Sequence, residues 1–403
     1  MPHVVVLAGY LRFPHGMAAT NRVRLLGRAL VEAGVDVRVL CLQASERPPH
    51  VENTEVRGTC LGVDFEYAAG TTVRHESFLM RRVIEIRGWT RGAQRLVELR
   101  REGRLDAVYL WFTSQKLELR RVLYLTLLKM LHVPVIAELN ERPWPLRDDL
   151  SAGERAFSPL TGVAGVVSIS AALTSWARGE ARRLGHALTV LEVPIVVDVD
   201  ERVPADYPAG EGVVVFAGSP EYDETIRFVF AAMEEVWRAR PDCTLVVTGA
   251  HSGDPASRWL AAEARRVGAG DRLKLAGYLR RGELLDLYAQ SHALLIPLFD
   301  DVRSKARFPT KIGEYLAAAR PVVTSAVGEI PNYFEHGVNG LVCEPGDTTG
   351  YGRAIVGLLD DPPVAARIGR EGRRLAETRF HYALFSDTLR SGFAAAAGSE
   401  TGA

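Results

Sequence analysis

"HVVVLAGYLRFPHGMAATNRVRLLGRALVEAGVDVRVLCL" spans residues 3–42. It opens with a valine-rich run that stops at Gly9, the pattern of a strand buried on both faces. From Ala18 the apolar residues recur at helical spacing as far as Gly34, a helix stop. "DVRVLCL" is a second apolar strand. Strand, helix and strand within about 40 residues make a βαβ unit, and such a crossover joins parallel strands.

The alternation continues. "DAVYLW" (106–111), "VPVIAEL" (133–139) and "GVVSIS" (165–170) are strand-like and are separated by helical patterns. Residues 193–211 are rich in Pro, Asp and Gly and lack helical periodicity, so they read as a linker. The pattern then restarts at "GVVVFAGSP" (212–220) and repeats through "CTLVVTG", "RLKLAGY", "HALLIPL", "PVVTS" and "GLVCEPGD". The expected class is α/β, with two Rossmann-like doubly wound domains facing a cleft.

The balance of 49 basic and 49 acidic residues argues against nucleic acid as a partner. The four cysteines form no C-x-x-C pair and no zinc spacing, and read as reduced. The N-terminus lacks the regions of a signal peptide, and no apolar run is long enough to span a bilayer. A cytoplasmic protein is expected.

The first loop, "GYLRFPHGMAATNR", places Gly16 just before a helix start. A helix N-terminus attracts anions, and a glycine there lets a ligand approach the backbone; the alternative is a plain turn. The loop does not match G-x-G-x-x-G, which disfavours a nicotinamide or flavin cofactor. Ser219, in the matching turn of the second half, offers either a phosphate ligand or a helix N-cap. In "FPTKIGEYLAAARPVVTS" (308–325), Lys311 and Glu314 are three residues apart, on one helix face. They read either as an exposed ion pair or as a nucleotide site, with the lysine on phosphate and the carboxylate on ribose. Arg303, Lys305 and Arg307 add charge nearby, where a solvated surface is the usual fate of such a run.

In "AELNERPWP" (137–145), Glu138, Asn140 and Glu141 end a strand and are expected to point toward the cleft as acceptor or sugar contacts; the alternative is loop caps and surface ion pairs. Asn140, Glu141 and Lys311 are the catalytic candidates. The pairs Asp148–Asp149 and Asp300–Asp301 are weak metal signals, and no metal site is assigned. Residues 79–104, with more arginine than acid, read as a solvated helix face or as an interfacial helix on anionic lipid.

The stretch "FPTKIGEYLAAARPVVTSAVGEIPNYFEHGVNGLVCEPGD" resembles the donor-binding region of retaining nucleotide-sugar glycosyltransferases of family 4, which have the GT-B fold. "AGYLRRGELLDLYAQSHALLIPL", "FPHGMAATNRVRLLGRALVEAGVDVRVL" and "VPIVVDVD" resemble that family too, so the likeness spans nearly the whole chain. It implies transfer of a sugar from a UDP- or GDP-sugar to an acceptor hydroxyl, with retention and without metal or cofactor. The acceptor would be a small molecule or a lipid-linked glycan. The alternatives are a sugar-nucleotide epimerase or hydrolase on the same fold and a non-catalytic nucleotide-sugar-binding subunit. The resemblance implies domains of residues 1–195 and 196–379, with a helix at 380–397 returning to the first. It assigns Glu314 to the ribose hydroxyls, Lys311 to the diphosphate, and the backbone around Tyr278 and Leu279 to the base edge. The Gly16 loop would close on the diphosphate. Two places depart from the family: Ala306 stands where an acid often reaches the donor sugar, and Ser219 to Asp223 stand where an Arg/Lys pair is common. Lys305 and Arg303 are candidate replacements for the charge, and Asp300 or Asp301 for the acid.

Overall fold

A computed structural model of the chain describes residues 2–48, 50–112, 119–143, 146, 158–218, 223–249 and 255–398. The chain forms two compact units. The first comprises Met1–Val196 and Tyr382–Ala403 with Ala306–Phe308, and the second comprises Val197–Lys305 and Pro309–His381.

The first unit is built on a sheet of β1 (His3–Ala8), β2 (Asp36–Cys41), β3 (Arg57–Cys60), β4 (Val63–Tyr67), β5 (Ala107–Trp111), β6 (Val135–Leu139), β7 (Gly165–Ser168) and β8 (Thr189–Glu192). Among the described residues its order is β3-β4-β2-β1-β5-β6-β7-β8. The pairings from β4 to β8 are parallel. The edge strand β3 is antiparallel to β4. The turn between them puts Leu61 and Gly62 at φ 51° and 78°, the left-handed pair that a two-residue hairpin turn demands.

Successive residues of β1 enter opposite cores. Val4, Val6 and Ala8 pack with α1 (Ala18–Glu32) and the last helix. Val5 and Leu7 pack with α2 (Phe78–Arg101) and α3 (Leu119–Met130). Both faces are therefore covered, as the continuous apolar run requires. Helix α2 lies close on the sheet's end because Gly88 carries no side chain: a Cβ there would stand 1.9 Å from the Leu42 carbonyl oxygen. Helix α4 (Ala171–Leu184) is capped by Ser170, whose side chain accepts from the Leu173 N–H.

The chain returns to this unit at Tyr382. The final helix, which we number α13 (Ser386–Gly398), buries Leu389, Phe393 and Ala396 against the α1 side of the sheet. Each of the two larger side chains contributes about 1.5–3 kcal/mol by area removed from water. Phe393 meets the Tyr109 ring edge-on at 5.4 Å. The Tyr382 hydroxyl donates to Glu32 at 2.8 Å, and Arg28 lies 4.5 Å over its ring.

The second unit holds β9 (Val213–Ala217), β10 (Thr244–Thr248), β11 (Leu273–Gly277), β12 (Ala293–Ile296), β13 (Val322–Ser325) and β14 (Leu341–Cys343). Its sheet runs β11-β10-β9-β12-β13-β14, parallel throughout. The intervening helices are α5 (Asp223–Ala239), α6 (Pro255–Arg266), α7 (Arg281–Ala289), α8 (Val302–Ala306), α9 (Lys311–Ala317), α10 (Ile330–Tyr333), α11 (Thr348–Asp360) and α12 (Pro362–Leu375). Arg320 is buried here and donates to the Ala205, Asp206 and Ala289 carbonyls, tying the extended entry segment to α7.

An ion pair lies deep in the first unit. Arg22 on α1 donates to Glu138 of β6 at 2.7 Å and to the Val193 and Pro194 carbonyls. Tyr109 completes the set with a bond to the same carboxylate. Both charged side chains are almost wholly buried. Glu138, expected to point toward a cleft, is thus a core residue. Arg22→Met should destabilise the protein by about 3–5 kcal/mol, because it leaves the buried Glu138 without its counter-charge. Urea denaturation measures this, and Arg22→Met/Glu138→Leu should recover much of the loss.

Candidate functional site

In the second sheet the strand order reverses beside β9. From β9 the chain moves outward to β10 and β11, then returns to β12 on the other side. Such a switch point opens a crevice at the carboxyl ends of the strands. Lys311 and Tyr315 both reach that point. The Lys311 ammonium donates to the Ala217 carbonyl at the end of β9. The Tyr315 hydroxyl accepts the Ala217 N–H at 3.2 Å and sits 3.5 Å from the Leu295 carbonyl of β12. Helix α9 is therefore fastened to the ends of both central strands, and it presents a cation there. Burial pushes the Tyr315 phenol well above its ordinary value, so it stays neutral in this role.

Glu314, one residue earlier on α9, is buried and receives Arg281 at 2.9 Å. Arg281 also holds Glu201 with two bonds. Burial opposes the guanidinium charge, but Glu201 and Glu314 outweigh it and keep Arg281 firmly protonated. The arginine engages one oxygen of Glu314, and a carboxylate has about four acceptor directions. Arg281, Glu201 and Glu314 line a groove with Leu285 and Ala317. Sequence reasoning missed Arg281 and Glu201, since nothing in "YLRRGELL" announces a partner 80 residues away. Tyr278 and Leu279 are half-buried in the loop that leaves β11 for α7.

The other candidates in this unit have structural partners. Lys305 pairs with Asp300. Asp301 accepts the Ser304 N–H at 2.6 Å and caps α8. The Asp300–Asp301 pair is thus divided between an ion pair and a cap. Ser219 and Asp148–Asp149 lie outside the described residues.

In the first unit the Gly16 loop is held by a carboxylate. Glu46, buried, takes two bonds from Arg12 at 2.9 and 3.0 Å, one from Asn53 and one from the Glu52 N–H. Asn53 in turn bonds both the N–H and the carbonyl of His15. Gly16 is required by its own loop: a Cβ there would lie 2.6 Å from the Arg12 carbonyl oxygen and 2.4 Å from the Thr20 hydroxyl. Its φ is not in the left-handed region. Asn140 and Glu141 follow the carboxyl end of β6 and are half-buried.

Among the described residues, Asp198, Asp200 and His381 bring three metal-ligand atoms within 4.8 Å of one another. Asp198 accepts the Asp200 N–H, and the His381 Nδ1 accepts the Val199 N–H. No helix of the described residues is long and apolar enough to cross a membrane. The four cysteines are free, and burial pushes the Cys41 and Cys243 thiols up to about 12.

Residues 211–361 match the family described as "Glycosyl transferases group 1". The chain is 28% identical to glycogen synthase of Mycobacterium tuberculosis (strain ATCC 25618 / H37Rv) over 173 residues, 43% of this chain and 40% of the relative. The match thus spans well under two thirds of that relative's length. Among solved structures, sucrose-phosphate synthase from Thermosynechococcus elongatus superposes with a TM-score of 0.70 at 18% identity, covering 98% of this chain and all of that one. Anabaena Alr3699/HepE, solved in complex with UDP, gives 0.63 at 14%, covering 98% of this chain and all of that one. At such identities the likeness shows the fold, which is GT-B.

The Glu46 network has a pH signature. Burial by itself would raise the Glu46 pKa, but Arg12, the Glu52 N–H and Asn53 hold it below the ordinary carboxylate value. A depressed folded pKa gives stability that is present above the unfolded pKa and lost as pH falls through the folded one. Acid titration of thermal stability should therefore show a loss beginning near pH 4–5, roughly the unperturbed carboxylate range. Glu46→Gln should be less stable at neutral pH and should show a shallower acid loss.

Proposed function

We propose, from the group 1 glycosyl transferase domain that residues 211–361 form, that this protein is a retaining glycosyltransferase. It moves a sugar from a UDP- or GDP-sugar to an acceptor hydroxyl without a metal. The observation that carries the reading is the placement of Lys311 and Glu314. They lie on one helix, α9, whose lysine is anchored at the end of β9 beside the switch point. A cation there suits a diphosphate. A carboxylate less than one turn away suits the two hydroxyls of a ribose. Tyr278 and Leu279, leaving β11 at the same edge, are assigned to the base through their backbone. The HepE structure was solved in complex with UDP, in keeping with this assignment.

In the mechanism this implies, Lys311 stabilises the negative charge that gathers on the departing diphosphate. The acceptor oxygen attacks the anomeric carbon from the face the diphosphate leaves. The acceptor proton passes to the leaving phosphate oxygen, so both charge and configuration are conserved. Asn140 and Glu141 are assigned to acceptor or sugar hydroxyls, and Gly16 and Ser219 to the diphosphate. Lys305 is a weaker candidate because Asp300 already engages it. The buried Ala306, where the family often places an acid, favours a second reading, a nucleotide-sugar-binding subunit without turnover. Product formation across a panel of acceptors separates the two.

Calorimetric titration with UDP and GDP tests the site. Glu314→Ala should weaken binding of the preferred nucleotide by about 1–3 kcal/mol, the value of hydrogen bonds to a charged acceptor. The variant should remain folded, because Arg281 keeps Glu201 as a partner. Wild-type affinity in the variant would remove the ribose assignment. Sugar transfer should survive EDTA; loss of transfer that added Mn²⁺ restores would contradict the metal-free mechanism.

A further inference from the structure

We propose that a basic cavity in the first unit binds the phosphate group of a phosphate-bearing acceptor; the role as acceptor, though not the anion site itself, rests on the transfer reaction proposed above. The cavity, of about 280 Å³, is lined by Arg47, Arg74, Arg81 and Arg82 together with Tyr10 and Glu85. Its walls come from three loops and one helix. Tyr10 follows β1, Arg47 follows β2, Arg74 follows β4, and Arg81 and Arg82 lie in the first turns of α2. Strands β4, β2 and β1 are adjacent and parallel. Their loops therefore leave one edge of the sheet, the carboxyl edge where ligands of such folds bind.

The charge in this cavity is only partly compensated. Glu85 is the acid of the lining, and it is already engaged by Arg82 at 2.7 Å and by Arg120. Among the described residues Arg47 and Arg74 make no side-chain hydrogen bond or ion pair, and Arg81 faces the Phe78 ring at 5.8 Å. A chain with equal numbers of basic and acidic residues thus gathers four guanidinium groups around one hollow. Guanidinium forks match phosphate oxygens two at a time, which a scattered solvated face does not require. The Tyr10 hydroxyl donates to the Ser45 carbonyl at 3.1 Å, which fixes its ring as a wall. Tyr10 and Phe78 give the hollow an apolar side suited to the carbon skeleton that carries the phosphate.

The test uses the full chain and two probes of one chemistry, glycerol 3-phosphate and vesicles of phosphatidylcholine containing phosphatidic acid. Arg74→Gln/Arg81→Gln is compared with Lys311→Ala and wild type, after equal melting temperatures show that all are folded. Glycerol 3-phosphate should bind wild type and Lys311→Ala alike, and should bind the arginine variant about tenfold or more weakly, as loss of charge-assisted bonds implies. Binding of phosphatidic acid vesicles alone, with the same arginine dependence, supports the site and assigns the phosphate to a lipid headgroup. Equal binding of both probes to wild type and the arginine variant overturns the proposal, as does binding lost only in Lys311→Ala. Should wild type fail to bind UDP or GDP while the arginine dependence holds, the transfer reading falls and the anion site stands.

Discussion

A parallel sheet covered by helices on both faces leaves its polar side chains few places other than the strand ends. That constraint governs both units. In β1 every residue from Val4 to Ala8 is buried, alternately in one core and the other. The four residues of β12 are all buried as well. Chemistry is pushed to the carboxyl edge, where loops begin and backbone groups at the last rung need partners. Lys311 and Tyr315 satisfy that need at Ala217. The proposed diphosphate cation is thus also part of the packing that holds α9 in place. A helix pinned at two strands is a rigid platform for a charge that must be in position before the reaction starts.

Where a charge does enter the interior, it is surrounded. Arg22 and Glu138 satisfy one another, two carbonyls and a tyrosine. Arg22 also binds the chain at Val193 and Pro194, just before the second unit begins. Such a pair adds little net stability over an apolar replacement, but it is costly to break from one side. In the second unit Arg320 plays a comparable part with neutral acceptors, tying the entry segment to α7.

Much of the fold was legible because periodicity is local. The βαβ unit at 3–42, the restart at 212 and the run of strands that follows all appear as β1, β2 and β9 to β14. The hairpin of β3 and β4 was not legible. Its turn places Leu61 at positive φ, where a sequence signal would be Asn or Asp followed by Gly. In the site, the Lys311–Glu314 spacing identified one helix face, but pairing at a distance could not be read. Glu138 looked like a strand-end ligand until Arg22, 116 residues away, proved to be its partner. Lys305 looked like free charge, yet Asp300 engages it. The arginines of α2 read as a surface face, and only the meeting of three loops shows that two of them line a hollow.

The central claim is that a nucleoside diphosphate binds at the carboxyl edge of the second sheet, between the loop after β11 and the start of α9. Hydrogen–deuterium exchange with and without saturating UDP or GDP tests this most directly. The account predicts slowed exchange at Gly218, at Tyr278 and Leu279, and across Lys311 to Glu314. Slowed exchange elsewhere in the chain, with these amides unchanged, would contradict it.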